Sequence, residues 1–102
     1  MKTVDYLDAV KAAYGLTSDY QLAKKLSIST NRITNYRSNR SFMDDNLAMK
    51  IAYLLDAEPL QVLAHVHAER EHRNGNELME NFWLDVAKSG HAEYVRMSQL
   101  VA

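Results

Sequence analysis

The sequence predicts an all-α domain of five to six helices. Apolar residues recur at spacings of three and four in every segment with a clear period, as they do along one face of a helix. No segment alternates apolar and polar residues between turn residues, which is the pattern of a β-hairpin. The chain has 102 residues, 47% of them hydrophobic, and this is enough for one domain with a modest core.

Helix one is predicted to begin at Thr3, which can serve as its cap, and to end at Gly15. Its apolar stripe consists of Val4, Leu7, Val10 and Tyr14. Ser18 and Gln21 form a capping box for helix two, in which each side chain can bond the backbone N–H of the other. Ser29 can cap helix three. The buried sides of helices two and three are predicted to be Leu22, Ala23, Leu26, Ile33 and Tyr36.

Helix four is predicted from about Asp44 to Leu55, and Pro59 suits the first turn of helix five. Asn74-Gly75-Asn76 is the strongest internal boundary, and it separates a helix-turn-helix unit, residues 1–73, from a C-terminal helix and tail, residues 74–102. Asn76 can cap helix six, and Ser89-Gly90 is predicted to end it. The segment 91–102 is too short for its periodicity to decide between helix and coil.

The charge of the chain is uneven. Residues 1–42 contain seven Lys or Arg and three Asp or Glu, a net charge of +4, whereas residues 43–102 contain five and ten, a net charge of −5. We therefore expect a polyanion to meet the first half and the acidic half to face away from it. An ordinary solvated surface is the alternative.

The outer side of helix three is polar. At 100° per residue, Asn31, Thr34, Asn35 and Ser38 point away from the side that carries Ile33 and Tyr36. Thr30, Arg32 and Arg37 lie on the flanks of this polar side. Polar groups at central positions can reach base edges in the major groove of DNA, and flanking arginines can reach phosphates.

This stretch resembles the phage Cro/repressor type of helix-turn-helix DNA-binding family, over roughly residues 3–66. The matching residues are Leu22-Ala23, Leu26, Ile28-Ser29, Ile33, Tyr36, Leu47, Ile51-Ala52, Leu55 and Val62-Leu63. The resemblance implies a lambda-repressor-like bundle in which helix three reads the DNA. It also implies that Thr30, Asn31 and Asn35 touch bases, and an Asn can bond adenine through two hydrogen bonds.

The chain departs from the family at three positions. Ser27 and Asn39 stand where the family has glycine before and after helix three, so both must adopt a left-handed backbone or the turns must differ. Asp19 stands where the family has a phosphate-binding Gln, and Gln21 is a weak substitute for it. The predicted phosphate contacts are Lys24, Arg32, Arg37, Ser38 and Arg40.

Helix six carries a wide apolar face formed by Leu78, Met79, Phe82, Trp83 and Val86. It is either core packed against helices one and five or an interface for a second copy or another protein. A dimer is expected for a DNA reader, because two copies about 34 Å apart recognise a palindrome.

The function expected from these observations is a cytoplasmic, sequence-specific transcriptional regulator of the phage or prophage repressor type, binding double-stranded DNA as a homodimer. The alternative is a protein-interaction module, such as an antirepressor, an adaptor or an antitoxin, that uses the acidic C-terminal region to bind a protein partner.

Enzymes, metal sites and membrane proteins are not expected. The chain has no cysteine and only three glycines, so it offers no thiolate and no glycine-rich phosphate loop, and no catalytic set or cofactor motif is recognisable. No two of its four histidines are spaced i, i+4, the usual pair for a zinc site on a helix. No apolar run approaches the roughly 20 residues of a membrane span.

Overall fold

The computed structural model describes the backbone of residues 1–101 and the side chains of residues 1–89. The all-α prediction is confirmed, since this part of the chain contains no strand. Its six helices are α1 (Thr3–Tyr14), α2 (Asp19–Leu26), α3 (Thr30–Arg37), α4 (Asp45–Leu55), α5 (Pro59–Arg73) and α6 (Glu77–Val101). None of them has the length and apolarity needed to cross a membrane.

The first five helices share one hydrophobic core. α1 packs against α2, α3 and α4, and α4 in turn packs against α5. Each large apolar side chain fully buried here contributes about 1.5–3 kcal/mol relative to an exposed one. The largest apolar side chains without exposed surface are Leu7, Val10, Leu22, Leu26, Ile33, Met43, Ile51 and Val62. α6 packs along α5, to which it is joined by a tight turn.

The helix starts follow the predicted caps, with two exceptions. Ser18 and Ser29 accept hydrogen bonds from the N–H groups three residues on, at 3.1 and 3.2 Å. The second half of the capping box is wrong, because the Gln21 side chain accepts the backbone N–H of Thr17, at 2.7 Å, and not that of Ser18. The other exception is Thr3.

Thr3 is not the cap of α1 but its first residue, and it is 1% exposed. Its hydroxyl donates to Glu69 Oε1 of α5 at 2.6 Å and accepts the backbone N–H of Met43 at 3.2 Å. Lys2 occupies the cap position, and its own N–H donates to Asp5. Thr3 therefore joins α1, α5 and the segment after α3 at one buried point.

Two turns use left-handed backbone at residues other than glycine, which is one of the two alternatives that the sequence left open. Ser27 has a φ of 57° between α2 and α3, and Asn39 has a φ of 61° after α3. Asp56, which ends α4, adopts the same conformation with a φ of 52° and was not predicted to do so. Asn76 caps α6 as expected, by accepting the N–H of Met79 at 3.2 Å.

The predicted end of helix six at Ser89-Gly90 is wrong. The backbone of α6 continues as helix through Gly90 to Val101. A single glycine inside a helix costs only about 1 kcal/mol relative to alanine, and the residues around it form helix readily. The undecided segment after residue 90 therefore has a helical backbone as far as Val101, while its side chains lie outside the described residues.

Candidate nucleic-acid interface

α2 and α3 form a helix-turn-helix whose inner side is apolar and buried. Ile33 and Tyr36 are 0% and 5% exposed, and Ala23 on α2 is buried as well. The turn is closed by the Ile28 N–H, which donates to the carbonyl of Ala23 at 3.0 Å. Because only small side chains fit where two helices approach closely, Ala23 suits the position that it occupies.

Lys50 also fixes the end of α2. Its Nζ donates to the carbonyl oxygen of Leu26 at 2.8 Å, so α4 supplies a partner for one of the free carbonyls in the last turn of α2.

The outer side of α3 is open to solvent. Thr30, Asn31, Thr34 and Ser38 are exposed, and Asn35 is half-buried. The hydroxyls of Thr34 and Ser38 donate to backbone carbonyls of α3, at 3.2 and 3.3 Å. Within residues 1–89 the side-chain amide of Asn31 bonds no other group, so its donors and acceptor face water. This is the geometry that a reader of base edges requires.

Arg37 is held inside the protein's own ion pairs. Its guanidinium lies 2.7 Å from a carboxylate oxygen of Asp8 and 3.0 Å from one of Asp19, and its side chain is 27% exposed. Lys11 adds a second cation 3.3 Å from Asp19. The hydrogen bond from Arg37 is the main cause that lowers the pKa of Asp19, and the same bond raises the pKa of Arg37.

This arrangement changes the interpretation of both residues. Asp19 does not present a free negative charge to a phosphate, because two cations neutralise it. Arg37 is a poorer candidate for a phosphate contact than the sequence suggested, because binding a phosphate would take it away from two carboxylates. Its principal role in the structure is to join α1, α2 and α3.

Arg32 also folds back onto the protein. Its Nη2 donates to the Tyr36 hydroxyl at 2.8 Å and approaches the Asp44 carboxylate at 3.4 Å. The side chain remains 41% exposed, so one edge of the guanidinium faces solvent. Arg32 thus orients Tyr36 and connects α3 to the start of α4.

Lys24 and Arg40 are the predicted phosphate contacts with the most freedom. Both are exposed, and within the described side chains neither has a carboxylate within 4.0 Å. The Lys24 ammonium lies 5.0 Å from the centre of the Tyr20 ring, an aromatic side chain on the same exposed side of α2. Gln21 is exposed, but its carbonyl oxygen is occupied by Thr17.

Sequence reasoning missed two arginines at the end of α5. Arg70 and Arg73 both lie over the ring of Phe42, at 5.2 and 4.9 Å from its centre. Arg73 also donates from Nη2 to the carbonyl and the side-chain oxygen of Asn39, the second residue after α3. Their spacing of three residues in a last turn was visible, but it also fits simple pairing with the helix dipole.

The apolar face of helix six is divided by α5. Leu78 and Phe82 are 81% and 51% exposed, whereas Met79, Trp83 and Val86 are half-buried. Trp83 stacks on His67 of α5, with ring centres 4.6 Å apart. One edge of this face therefore packs inside the domain, and the other edge is open.

Each of the three described histidines bonds a different residue. Among the side chains of residues 1–89, no group of three His, Asp or Glu converges in a way that could hold a metal. His91 lies outside the described side chains. The partners of the other three are Tyr6 for His65, Asp45 for His67 and Glu80 for His72.

Comparison with known proteins finds a similar protein from a phage. A protein of Pseudoalteromonas phage PM2, described as the uncharacterized protein Gp-c, is 29% identical to this chain over 82 residues. The similar region covers 79% of this chain and 89% of the phage protein. No family model matches the chain, and no solved structure matches it.

Proposed function

We propose that this protein is a sequence-specific DNA-binding regulator of transcription, which places α3 in the major groove. The observation that carries the proposal is the two-sided character of α3: Ile33 and Tyr36 are buried, while Asn31 and its neighbours are exposed and polar. The exposed Lys24 and Arg40 lie on the positively charged half of the chain, which suits a phosphate backbone. It is a binding protein of the cytoplasm and not an enzyme.

The similarity to a phage protein supports a phage or prophage setting for such a regulator. Proteins of this size that bind operators commonly do so as dimers, because one short helix contacts too few base pairs to be selective. We propose a homodimer whose contact includes the exposed edge of α6, at Leu78 and Phe82. This leaves α3 of each copy free for one half-site.

Selection of binding sites from random duplexes, at physiological salt, tests the proposal. The expected result is a palindromic sequence whose half-sites lie one or more helical turns apart, about 34 Å per turn. A selection that enriches no sequence, combined with equal binding to any duplex, would contradict sequence-specific recognition. A protein that retains no duplex at all would contradict DNA binding altogether.

A second candidate function rests on the same edge of α6. Leu78 and Phe82 lie four residues apart on α6 and are both exposed, and neighbouring exposed apolar side chains are typical of surfaces that contact another protein. An antirepressor, adaptor or antitoxin would use this edge for a protein other than itself. Phe82→Ala would then abolish binding to that partner and Asn31→Ala would not, whereas the DNA-binding proposal expects Asn31→Ala to change DNA specificity.

A further inference from the structure

The end of α5 holds the segment that follows α3. Arg70 and Arg73, which we call the α5 arginine pair, stand three residues apart in the last turn of α5 and share the ring of Phe42. Arg73 also donates to both oxygens of Asn39, although the two residues are 34 positions apart in the chain. A guanidinium so fixed by stacking and hydrogen bonds loses little side-chain freedom when it binds a further group.

This contact places positive charge beside the C-terminal end of α3. Asn39 is the second residue after α3, and Arg40, which is exposed, follows it. An eight-residue helix is about 12 Å long, close to the width of the major groove. The end of a helix seated in that groove therefore lies near a chain of phosphates that forms its wall.

The positive charges of the α5 arginine pair are not paired with a carboxylate within the described side chains. Among the described side chains, no carboxylate lies within 4.0 Å of Arg40, Arg70 or Arg73. The neighbouring Glu69 carboxylate is directed toward Thr3, since its Oε1 accepts both the N–H and the hydroxyl of that residue. Arg37, in contrast, is neutralised by two carboxylates. Of the arginines around α3, those beside its end are thus the better placed to hold an anion.

We propose that Arg73, together with Arg40 and Arg70, binds the phosphodiester backbone of duplex DNA next to the C-terminal end of α3. This inference rests on the proposed function and adds to it a contact from α5, outside the helix-turn-helix. The contact carries no base specificity, because it is made to phosphate. Its effect is to fix how α3 lies in the groove.

The test is the salt dependence of binding of the full chain to its selected duplex. Each phosphate contact that releases a counterion contributes about 0.9 to the slope of log affinity against log salt. We expect Arg73→Ala to reduce the slope by about 0.9 and to weaken binding to all duplexes by the same factor. Lys88→Ala is the matched control: it removes the same charge from an exposed site on α6 and should leave the slope unchanged.

The alternative role for Arg73 is purely structural, as a partner for Asn39 and the helix dipole. Arg73→Ala would then weaken binding with the parent slope intact, and that result would overturn the proposal. Arg73→Lys keeps the charge and should keep most of the slope. If Arg73→Ala fails to fold, Arg70→Gln provides the same measurement, because Arg70 makes no hydrogen bond within residues 1–89.

Failure of this inference is distinct from failure of the proposed function. If the parent protein binds no duplex, both the proposed function and the α5 contact are refuted. The parent could select a palindrome while the Arg73→Ala and Arg70→Gln variants both keep its affinity and salt slope. That outcome would refute the α5 contact but not the proposed function.

Discussion

Asp19 and Arg37 join the two ends of the helix-turn-helix by a pair of hydrogen bonds. Arg37 donates from Nε at 3.2 Å and from Nη2 at 3.0 Å, one to each carboxylate oxygen. Asp8 of α1 lies against the same guanidinium. The unit that we propose to read DNA is therefore fixed by an ionic contact among three helices as well as by its apolar core.

Replacing Arg37 should test this contact through stability. Arg37→Ala leaves two carboxylates without their partner, and we expect the free energy of unfolding to fall by about 1 kcal/mol, since the three groups are partly solvated. Urea denaturation at neutral pH measures the change. Arg40→Ala is the control, because Arg40 is exposed and unpaired within the described residues and should change stability by less than about 0.5 kcal/mol.

The same contact sets a dependence on acid. Since the pKa of Asp19 is lower in the folded protein than in the unfolded chain, its stabilising effect is complete above about pH 4 and is lost as the pH falls below that value. Arg37→Ala should make the stability less sensitive to pH in this acidic window. If the free energy of unfolding of the parent and of the variant falls equally with pH in this window, the Asp19–Arg37 contact is not the cause of the acid dependence.

Thr3 provides a second test of stability, at the junction of α1, α5 and the segment after α3. Thr3→Val keeps the shape of the side chain but leaves the Met43 N–H and Glu69 without the hydroxyl, inside the protein. We expect a loss of about 1–3 kcal/mol in the free energy of unfolding. Thr3→Ser, which retains the hydroxyl, should lose clearly less. Equal losses would mean that packing, and not hydrogen bonding, explains the burial of Thr3.

His65 should make stability depend on pH near neutrality. Its Nδ1 forms a 2.5 Å hydrogen bond with the Tyr6 hydroxyl, and burial followed by the positive N-terminus lowers its pKa. Because the folded protein then resists protonation more than the unfolded chain, the contribution of His65 is complete above about pH 6.5 and is lost as the pH falls. Burial also raises the pKa of Tyr6 to about 12, so Tyr6 keeps its hydroxyl proton throughout this range.

The measurement is the free energy of unfolding at about pH 7.5 and about pH 5.5, for the parent and for His65→Gln. The parent should lose more stability between the two values than the variant does. His67 and His72 each face a carboxylate and are present in both proteins, so their effects cancel in the comparison. If both proteins lose the same free energy of unfolding between these pH values, His65 does not cause the pH dependence.

Local sequence patterns predicted most of the fold, and long-range contacts account for what they missed. Ser18, Ser29 and Asn76 act as caps through neighbours three residues away, and such contacts can be recognised in a sequence. Thr3 looked like a cap for the same reason, but its partners lie 40 and 66 residues away. The continuation of α6 past Gly90 was missed because glycine weakens a helix without necessarily ending it.

In the candidate site, too, local patterns were predictable from the sequence and long-range contacts were not. The exposed polar side of α3 follows from helical geometry alone. The commitment of Arg37 to Asp8 and Asp19, and the position of Arg73 beside Asn39, depend on how distant helices pack. No spacing rule in the sequence could distinguish an arginine that is neutralised from one that is free.

The two edges of the α6 face should respond differently to mutation. Trp83 stacks on His67, so Trp83→Ala should lower the free energy of unfolding by about 1–3 kcal/mol, less than for a fully buried tryptophan. Phe82 is half exposed, so Phe82→Ala should change unfolding of the monomer by less than about 0.5 kcal/mol but should weaken self-association. Sedimentation at several concentrations measures the association. A parent protein that stays monomeric at every concentration would contradict the dimer.

Asn31 is the residue whose replacement most directly tests the reading role of α3. Its exposed amide can accept and donate at once, which suits the N6 and N7 edge of adenine, and losing such a pair costs about 1–3 kcal/mol of discrimination against the wrong base. Asn31→Ala should therefore relax the preference at one position of each half-site, measured by competition among duplexes with single base changes. Lys24→Ala should instead weaken binding to every duplex alike and lower the salt slope by about 0.9, because the contact proposed for Lys24 is with phosphate. If Asn31→Ala ranks the competing duplexes as the parent does, the bases are read by something other than this face of α3, and its exposed polar side is only a solvated surface.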